Sequence, residues 1–214
     1  MIETDVFIAG AGLAGSIAAL SYSKAGRNVI IADPFTHSDN TKLDYRTTAY
    51  LQPSKLFLET LGVWETIEDF AMPLEVMKII DSSGTQEGDK IKSQKEFKSA
   101  EVSDLPFGWN VKNSLMRKAL KHLIDCQINC ELMNGTSAVD FVSRDSVAYV
   151  KLSSGNTVKA KLVIAADGRN SILREKAGIS IKTHRFGQKA LAFAVTHSIP
   201  VSYTHLTLPT KVSV

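Results

Sequence analysis

Four residues near the N-terminus have the types and spacing of a phosphate-binding site. Gly10, Gly12 and Gly15 fit the pattern G-x-G-x-x-G, and Asp33 follows at roughly the 20-residue distance at which such sites carry an acid. The first glycine permits a sharp turn, the second lets the backbone approach a pyrophosphate, and the third lets a helix pack on a strand. A carboxylate at position 33 would accept hydrogen bonds from a ribose and repel a 2′-phosphate.

The surrounding sequence predicts the elements that hold these residues. "DVFIAG" is a strand that ends at Gly10, and "RNVIIAD" is a second buried strand that ends at Asp33. Between them, "LAGSIAALSYSKAG" has apolar residues at helical spacing and Gly26 where a helix C-cap is expected. A glycine turn that serves only packing is the alternative, but the combination of turn, helix, strand and acid favours an adenine dinucleotide. The candidate contacts are Gly10, Ala11, Gly12, Leu13, Ala14, Gly15 and Asp33.

The run from Val6 to Ser23 has no charged residue, and its length approaches that of a membrane span. Its glycines and serines are atypical of a span, and the flank that precedes it is acidic, with Glu3 and Asp5. A secretory signal would need a positive segment and a cleavage site, and neither is found at this position. We therefore expect this segment to fold in water as two elements joined by a tight turn.

Composition and charge are those of an ordinary soluble globular protein. Of 214 residues, 44% are hydrophobic and 22% are charged, and the net charge of +3 is too small to indicate a nucleic-acid partner. The two cysteines, Cys126 and Cys130, are too few for a disulfide framework. With His122 they could share a helix face, but a metal site would need a fourth ligand. Buried reduced thiols are therefore the favoured interpretation, and no metal site is predicted.

The chain leaves the alternating pattern of strands and helices after Asp33, which argues against a simple NAD-binding domain. "RTTAYLQPSKLFLETLGVW" predicts a helix, "EVMKIIDSSG" a strand, and residues 84–106 a polar, solvated excursion. A further helix is expected from Ser114 to Asp125, with Asn113 as its N-cap. The segments that follow are rich in β-forming residues, with a turn at Ser154-Gly155-Asn156.

A second candidate site follows the apolar run "LVIAA", which predicts a central strand buried on both faces. Asp167 and Gly168 come at the carboxyl end of this strand, where open α/β sheets bind ligands. An Asp-Gly pair is commonly a plain turn. In a chain that already carries a dinucleotide motif, a ligand role is the favoured interpretation.

Taken in order, these motifs resemble those of the class A flavoprotein monooxygenases, and in particular the ubiquinone-biosynthesis hydroxylases. The resemblance covers Thr4 to Ile199. Besides the glycine pattern and the acid, it includes Arg46 before an apolar helix that ends in Leu61-Gly62, and the segment "ADGRNSILR".

The resemblance implies a role for each matching residue. The glycine loop and Asp33 would hold the ADP half of FAD, while Asp167 and Gly168 would contact the cofactor and shape the approach of a pyridine nucleotide. Arg46 would bind the cofactor by motif match. Arg117 matches a side chain near the flavin nucleotide, although a solvated arginine on an amphipathic helix is an equally good interpretation.

The implied activity is hydroxylation of a small aromatic molecule, a prenylated quinone precursor, with O₂ as oxidant and NADH or NADPH as electron donor. The flavin carries that chemistry, so no acid, base or nucleophile is nominated, and the five histidines show no triad spacing. The implied location is the cytoplasm, with peripheral association with the inner membrane or a biosynthetic complex as a further option. Two alternatives remain open: a flavin-dependent reductase of the geranylgeranyl reductase type, and a non-catalytic truncated fragment.

The expected fold class is α/β. A Rossmann-like FAD-binding domain with a parallel sheet and a β-meander is predicted over residues 1–178, followed by the start of a mixed-sheet substrate domain over residues 179–199. The strands near residues 5–9, 28–32 and 162–166 should be neighbours in one parallel sheet. The glycine turn and Asp167 should then lie at the same edge of that sheet.

The sequence departs from the family pattern in its second half. Members of the family are about twice as long and carry a second acidic motif, Gly-Asp followed by small residues and a His. The one Gly-Asp in this sequence is Gly88-Asp89, so we expect an N-terminal part of such an enzyme that is inactive alone. Residues 200–214 resemble a translated sequencing adapter, with an ordinary edge strand and loop as the alternative.

Overall fold

A computed structural model describes residues 1–35, 44, 46–83 and 90–187 of the chain. The predicted tail at residues 200–214, Gly88-Asp89 and most of the predicted start of a substrate domain lie outside these residues. In chain order the elements are β1 (Ile2–Ala9), α1 (Leu13–Lys24), β2 (Val29–Asp33), β3 (Thr47–Leu51), α2 (Gln52–Thr60), β4 (Met72–Pro73), β5 (Val76–Ser83), β6 (Lys90–Lys98), β7 (Gly108–Lys112), α3 (Asn113–Asp125), β8 (Cys130–Asn134), β9 (Ala138–Ser143), β10 (Ala148–Leu152), β11 (Thr157–Ala165) and α4 (Ile172–Lys176). Short 3₁₀ turns lie at Trp64–Thr66, Glu68–Phe70 and Ser99–Glu101.

The main sheet has six strands in the order β8-β2-β1-β11-β10-β9. β1 pairs in parallel with both β2 and β11, so that Val6 lies between Val29 and Leu162. β2 pairs in parallel with β8, while β9, β10 and β11 form an antiparallel meander. The predicted α/β class, with a parallel sheet and a β-meander, is confirmed, as is the neighbourhood of its three predicted strands.

The hydrophobic core lies on both faces of this sheet because alternate residues of β1 and β2 point to opposite faces. Ile8 and Ile31 are buried in one cluster with Leu20 of α1 and Met116 of α3. Phe7 is buried in a second cluster with α4. Fully burying a side chain of this size stabilises the fold by about 1.5–3 kcal/mol. The two clusters therefore hold α1 and α3 on one face of the sheet and α4 on the other.

The segment from Arg46 to Trp64, predicted as one helix, is a strand followed by a shorter helix. Thr47–Leu51 form β3, which pairs antiparallel with β7, and α2 begins only at Gln52. β-branched threonines favour extended backbone, and Pro53 suits the first turn of a helix rather than its interior. The helical prediction was therefore wrong for the first five residues that follow Arg46.

The start of α3 also differs from its prediction. Lys112 is the N-cap and Asn113 is the first helical residue, so Asn113 is not the predicted cap. The buried Asn113 instead accepts a hydrogen bond from Thr48 Oγ1 at 2.7 Å through its Oδ1, and its backbone N–H donates to the Arg46 carbonyl at 3.0 Å. These bonds tie the beginning of α3 to the beginning of β3.

β11 is central in the sheet, but its "LVIAA" run is not buried on both faces as predicted. β1 flanks β11 from Val158 to Ala165, whereas β10 pairs only with Thr157–Ala160. The second half of β11 therefore has a neighbour on one side among the described residues, and Leu162 is 41% exposed. Pairing register, which the sequence pattern does not reveal, decides the burial of these side chains.

The predicted polar excursion begins in a two-stranded antiparallel hairpin formed by β5 and β6. Apolar side chains of both strands are exposed, including Met77, Ile79 and Ile91. Residues 84–89, which join the two strands, lie outside the described part of the chain.

A pair of tryptophans joins the 3₁₀ turn after α2 to β7. The rings of Trp64 and Trp109 meet edge to face with 5.4 Å between their centroids. Lys55 Nζ lies 5.1 Å and 5.4 Å from the two centroids and is ion-paired with Glu59. An ammonium group near two indole rings is attracted by their quadrupoles, so Lys55 links α2 to both tryptophans.

The cysteines are not equally buried, which corrects part of the prediction. Cys126 is exposed at the C-cap of α3, whereas Cys130 is half-buried at the start of β8. Burial, with a contribution from the Asp125 charge, raises the pKa of the Cys130 thiol to about 11, so this thiol stays protonated at neutral pH.

Across the described ranges, no group of three His, Cys, Asp or Glu residues could hold a metal ion. None of the helices in those ranges is long and apolar enough to cross a membrane.

Candidate functional site

The candidate residues meet at one edge of the main sheet because β1, β2 and β11 run in parallel and end there. Gly10 N–H donates to the Ala32 carbonyl at 2.7 Å, and Ala166 N–H donates to the Ala9 carbonyl at 2.8 Å. A Cβ atom placed on Gly10 would lie 3.0 Å from the Cα of Asp167. The predicted proximity of the glycine turn and Asp167 is therefore confirmed.

Each of the three glycines has a different reason to lack a side chain. Gly10 has a φ of +96°, a conformation that other residues rarely adopt. A Cβ on Gly15 would overlap the carbonyl oxygen of Gly10, which shows how closely α1 packs on the turn. Gly12 has ordinary extended backbone, and no described atom lies within 4 Å of where its Cβ would be. The space beside Gly12 is therefore open to a ligand.

The N-terminus of α1 faces this open space with unused donors. Gly12 is its N-cap, no side chain caps it, and its first turn has no acidic residue. The first intrahelical bond is donated by Ser16 N–H to the Gly12 carbonyl at 2.9 Å. The preceding N–H groups of the first turn have no intrahelical acceptor, and the helix dipole adds a partial positive charge. This arrangement fits the pyrophosphate of a dinucleotide.

Asp33 connects the second strand to the glycine turn. Its side chain is buried, with Oδ2 accepting a hydrogen bond from Ala11 N–H at 2.6 Å and Oδ1 accepting one from Phe35 N–H at 2.9 Å. The carboxylate therefore helps to fix the backbone of the turn. Its predicted hydrogen bonds to a ribose stay a prediction.

Asp167 lies beside the glycine turn, and Gly168 follows it in the chain with a φ of +87°. Asp167 Oδ2 accepts hydrogen bonds from Ile172 N–H at 2.8 Å and Leu173 N–H at 3.3 Å, at the start of α4. Its other oxygen, Oδ1, is buried and has no hydrogen-bond partner among the described residues. Asp167 therefore orders the backbone after β11, and its Oδ1 is a buried acceptor that no described residue pairs.

The N-terminus of α3 lies at the same edge of the sheet as that of α1. α3 leads directly into β8, which is parallel to β2, so α3 runs antiparallel to these strands. Its C-terminal end meets that of α1 at the opposite edge, where Ser23 Oγ donates to Asn129 Oδ1 at 2.6 Å. Arg117, at the start of the second turn of α3, is thereby placed at the edge that carries the glycine turn.

The structure brings Arg46 and Arg117 together on one carboxylate, that of Asp44. Arg46 donates to Asp44 through Nε at 2.8 Å and Nη2 at 2.9 Å, and Arg117 Nη2 donates to Asp44 Oδ2 at 3.2 Å. The hydrogen bond from the Arg46 side chain, with help from the Arg46 backbone N–H and both positive charges, lowers the pKa of Asp44 to about 2. Asp44 is therefore ionised at neutral pH.

Asp44 is the member of the candidate site that the sequence did not indicate. Nothing local in the sequence links Asp44 to Arg117, which lies 73 positions away. The predicted contact of Arg117 with the flavin nucleotide stays a prediction, but the structure describes the surroundings of this side chain. It is half-exposed and paired, and its Nε is buried without a hydrogen-bond partner in the described residues. It is therefore not simply a solvated arginine.

Comparison with known proteins agrees with this arrangement. A family model described as "FAD binding domain" matches residues 3–208. The ubiquinone hydroxylase UbiL of Rhodospirillum rubrum is 29% identical over 90% of this chain and 44% of its own length. The 3-demethoxyubiquinol 3-hydroxylase of Escherichia coli is 26% identical over 90% of this chain and 48% of its own length. The chain thus spans about half the length of the curated relatives it matches.

Solved structures support the same fold. The crystal structure of p-nitrophenol 4-monooxygenase PnpA from Pseudomonas putida superposes with a TM-score of 0.70 at 19% identity, over 88% of this chain and 47% of its own. At that identity the likeness concerns the fold alone. Because the family model covers nearly the whole chain and the glycine turn has the predicted geometry, the chain belongs to the FAD-binding domain family.

Proposed function

We propose that this chain is the FAD-binding part of a monooxygenase that hydroxylates a small aromatic molecule with O₂ and with NADH or NADPH as electron donor. The proposal rests on one observation: three features lie together at one edge of a parallel sheet. They are the open glycine turn, the buried carboxylate of Asp33, and Asp167, whose Oδ1 has no hydrogen-bond partner among the described residues. Two of the relatives that match most of the chain are hydroxylases by name. Their names support the hydroxylase hypothesis over the reductase alternative.

The chain's own residues bind and orient the cofactor. The open side of Gly12 and the first turn of α1 receive the pyrophosphate, and Asp33 holds the adenosine ribose. Arg46 and Arg117 supply positive charge for the anionic part of the dinucleotide, and Asp167 supplies an acceptor. When bound, FAD supplies the redox chemistry with the nicotinamide donor and O₂, and the protein supplies position and exclusion of water.

The proposed substrate class is a prenylated quinone precursor. It is supported by the relatives named as ubiquinone hydroxylases and as a demethoxyubiquinol hydroxylase. A prenyl chain partitions into lipid because each buried methylene stabilises the membrane-bound state by about 0.8 kcal/mol. We therefore propose that the whole enzyme works in the cytoplasm at the surface of the inner membrane, where such a substrate is found.

Cofactor binding is tested by titrating the purified chain with FAD and following flavin fluorescence. Because the proposed contacts concern the ADP half, ADP should displace FAD, whereas FMN, which lacks that half, should not. Equal competition by ADP and FMN would contradict the proposed site, and so would the absence of any FAD binding.

The reaction class is tested on the whole protein with NADH or NADPH and a prenylated phenol. We expect a product that carries one added oxygen atom, formed in air and not under anaerobic conditions. A product with a reduced prenyl double bond, formed without O₂, would instead support the reductase alternative.

A further inference from the structure

Asp44 lies between two arginines that come from distant parts of the chain. We propose that Asp44 is a positioning residue: it holds the guanidinium groups of Arg46 and Arg117 together, so that both meet the anionic part of the dinucleotide. The inference rests on the proposed function, because the arginines are assigned to FAD there. Asp44 itself acts through the arginines.

The contacts of Asp44 orient Arg46 from one side. Oδ1 accepts from Nε at 2.8 Å and from the backbone N–H of Arg46 at 3.2 Å, and Oδ2 accepts from Nη2 at 2.9 Å. A two-point contact of this kind fixes the plane of the guanidinium group as well as its position. Oδ2 also accepts from Arg117 Nη2 at 3.2 Å, so one oxygen atom joins the two arginines.

The backbone supports the same junction. Arg46 directly precedes β3, and its carbonyl accepts the N–H of Asn113 at 3.0 Å. Asn113 begins the helix that carries Arg117 four residues later. The two guanidinium groups therefore belong to elements that are already bound to each other, and Asp44 completes the junction at the level of side chains.

Most of the donors of the two arginines remain available to a ligand. Each guanidinium has five N–H donors; Asp44 receives two from Arg46 and one from Arg117, and the N–H of Arg117 Nε is buried. The Arg46 side chain is 67% exposed and that of Arg117 is 41% exposed, whereas the carboxylate is shielded at 15%. Two positive charges and one negative charge leave a net positive surface at this position.

Two opposing effects decide what Asp44 does for binding. Long arginine side chains lose rotamer freedom when a ligand immobilises them, and Asp44 removes that freedom in the free protein. Its negative charge also repels a phosphate. We expect orientation to outweigh repulsion, because the carboxylate is shielded by the groups that it holds. If orientation dominates, replacing Asp44 weakens FAD binding. If repulsion dominates, replacing it strengthens FAD binding.

The test is Asp44→Asn, which keeps the shape of the side chain and removes its charge. We expect the dissociation constant for FAD to rise about tenfold, as for loss of a charge-assisted hydrogen bond. Asp125→Asn is the matched control. Asp125 is also paired with a cation, Lys121 at 2.5 Å, but it lies at the other end of α3 and should leave the affinity unchanged.

A second measurement separates positioning from a general structural effect. In a protein that carries Arg46→Gln and Arg117→Gln, Asp44→Asn should change FAD affinity by less than about twofold, since coupled residues are not additive. Asp44→Glu keeps the charge but moves the carboxylate, so it should restore part of the affinity lost in Asp44→Asn. It also provides a folded variant if Asp44→Asn does not fold.

Three outcomes would overturn the inference: tighter FAD binding by Asp44→Asn, unchanged binding, or an equal loss with and without the arginines. The proposed function is judged separately by Gly12→Ala, which fills the space beside the glycine turn and leaves Asp44 and both arginines in place. If Gly12→Ala weakens FAD binding while Asp44→Asn does not, only the role of Asp44 is wrong. If the unaltered chain binds no FAD, both proposals fall.

Discussion

Gly15 in the first turn of α1 packs directly on the carbonyl oxygen of Gly10 at the end of β1. A Cβ atom on Gly15 would overlap that oxygen and would also lie 3.2 Å from the Cβ of Ala166. Helix, turn and the strand end of β11 thus meet at one point, without room for a methyl group. The third glycine is needed for packing, whereas the second leaves an open space.

Gly15→Ala should therefore destabilise the fold. The methyl group meets backbone atoms that cannot rotate away, and overpacking of this kind costs about 1–3 kcal/mol. Urea denaturation should show a lower free energy of unfolding even when no cofactor is added. An unchanged midpoint would mean that α1 can shift away from the turn at little cost.

Gly12→Ala, by contrast, should weaken FAD binding and have little effect on stability. Its φ of −65° suits alanine and its Cβ would meet no described atom within 4 Å, so the loss of stability should stay below about 1 kcal/mol. FAD affinity should nevertheless fall at least about tenfold, since the methyl group occupies the space proposed for the pyrophosphate. Titration with FAD, beside urea denaturation of the same variant, separates the two effects.

Asp33→Ala should weaken binding of adenine dinucleotides by about 1.5–3 kcal/mol, the range for a hydrogen bond to a charged group. Asp33→Asn should lose less, because its amide oxygen can still accept a hydrogen bond from Ala11 N–H. ADP is the ligand to measure, since it contains the ribose and lacks the flavin. Unchanged ADP affinity in Asp33→Ala would show that the ribose is held elsewhere.

Ser171→Ala should loosen the start of α4. Ser171 Oγ accepts the N–H of Arg174 at 3.0 Å as the N-cap of this helix, and loss of such a cap costs about 0.5–2 kcal/mol. Hydrogen exchange at the Arg174 amide should become faster. Ser154→Ala, in the exposed turn between β10 and β11, is the control and should leave that amide unaffected.

The ion pairs of Asp44 should make the free energy of unfolding depend on pH in the acidic range. Its folded pKa of about 2 lies below the ordinary value of 3.8, so the stabilisation is fully present above pH 3.8 and is lost as pH falls toward 2. The difference in free energy of unfolding between the unaltered chain and Asp44→Asn should shrink over that range. A difference that stays constant down to pH 2 would exclude this carboxylate as its source.

The first unit of the fold was predictable because its determinants are local. The glycine spacing, the apolar spacing of α1 and the acid at the end of β2 all lie within one continuous stretch, and each was found in place. Gly26, with a φ of +76° just beyond α1, matched its predicted role at the helix end. Short-range patterns of this kind leave few alternative structures.

The errors arose where distant pairing decides the structure. β3 is a strand because β7, some sixty residues further along the chain, pairs with it. The side chain of Asn113 accepts a hydrogen bond from Thr48 instead of capping its own helix. The exposure of Leu162 likewise depends on where β10 stops pairing with β11. The role of Asp44 was not predicted for the same reason, because its partner Arg117 lies on another element.

The edge-to-face pair of Trp64 and Trp109 also has an optical consequence. These are the two tryptophans of the sequence, so the indole emission of the protein originates from a single location beside α2. Tryptophan emission overlaps the absorption band of oxidised flavin, and resonance energy transfer falls steeply with distance. We therefore expect a flavin that binds nearby to quench the emission of this tryptophan pair, a change that can be followed without any attached label.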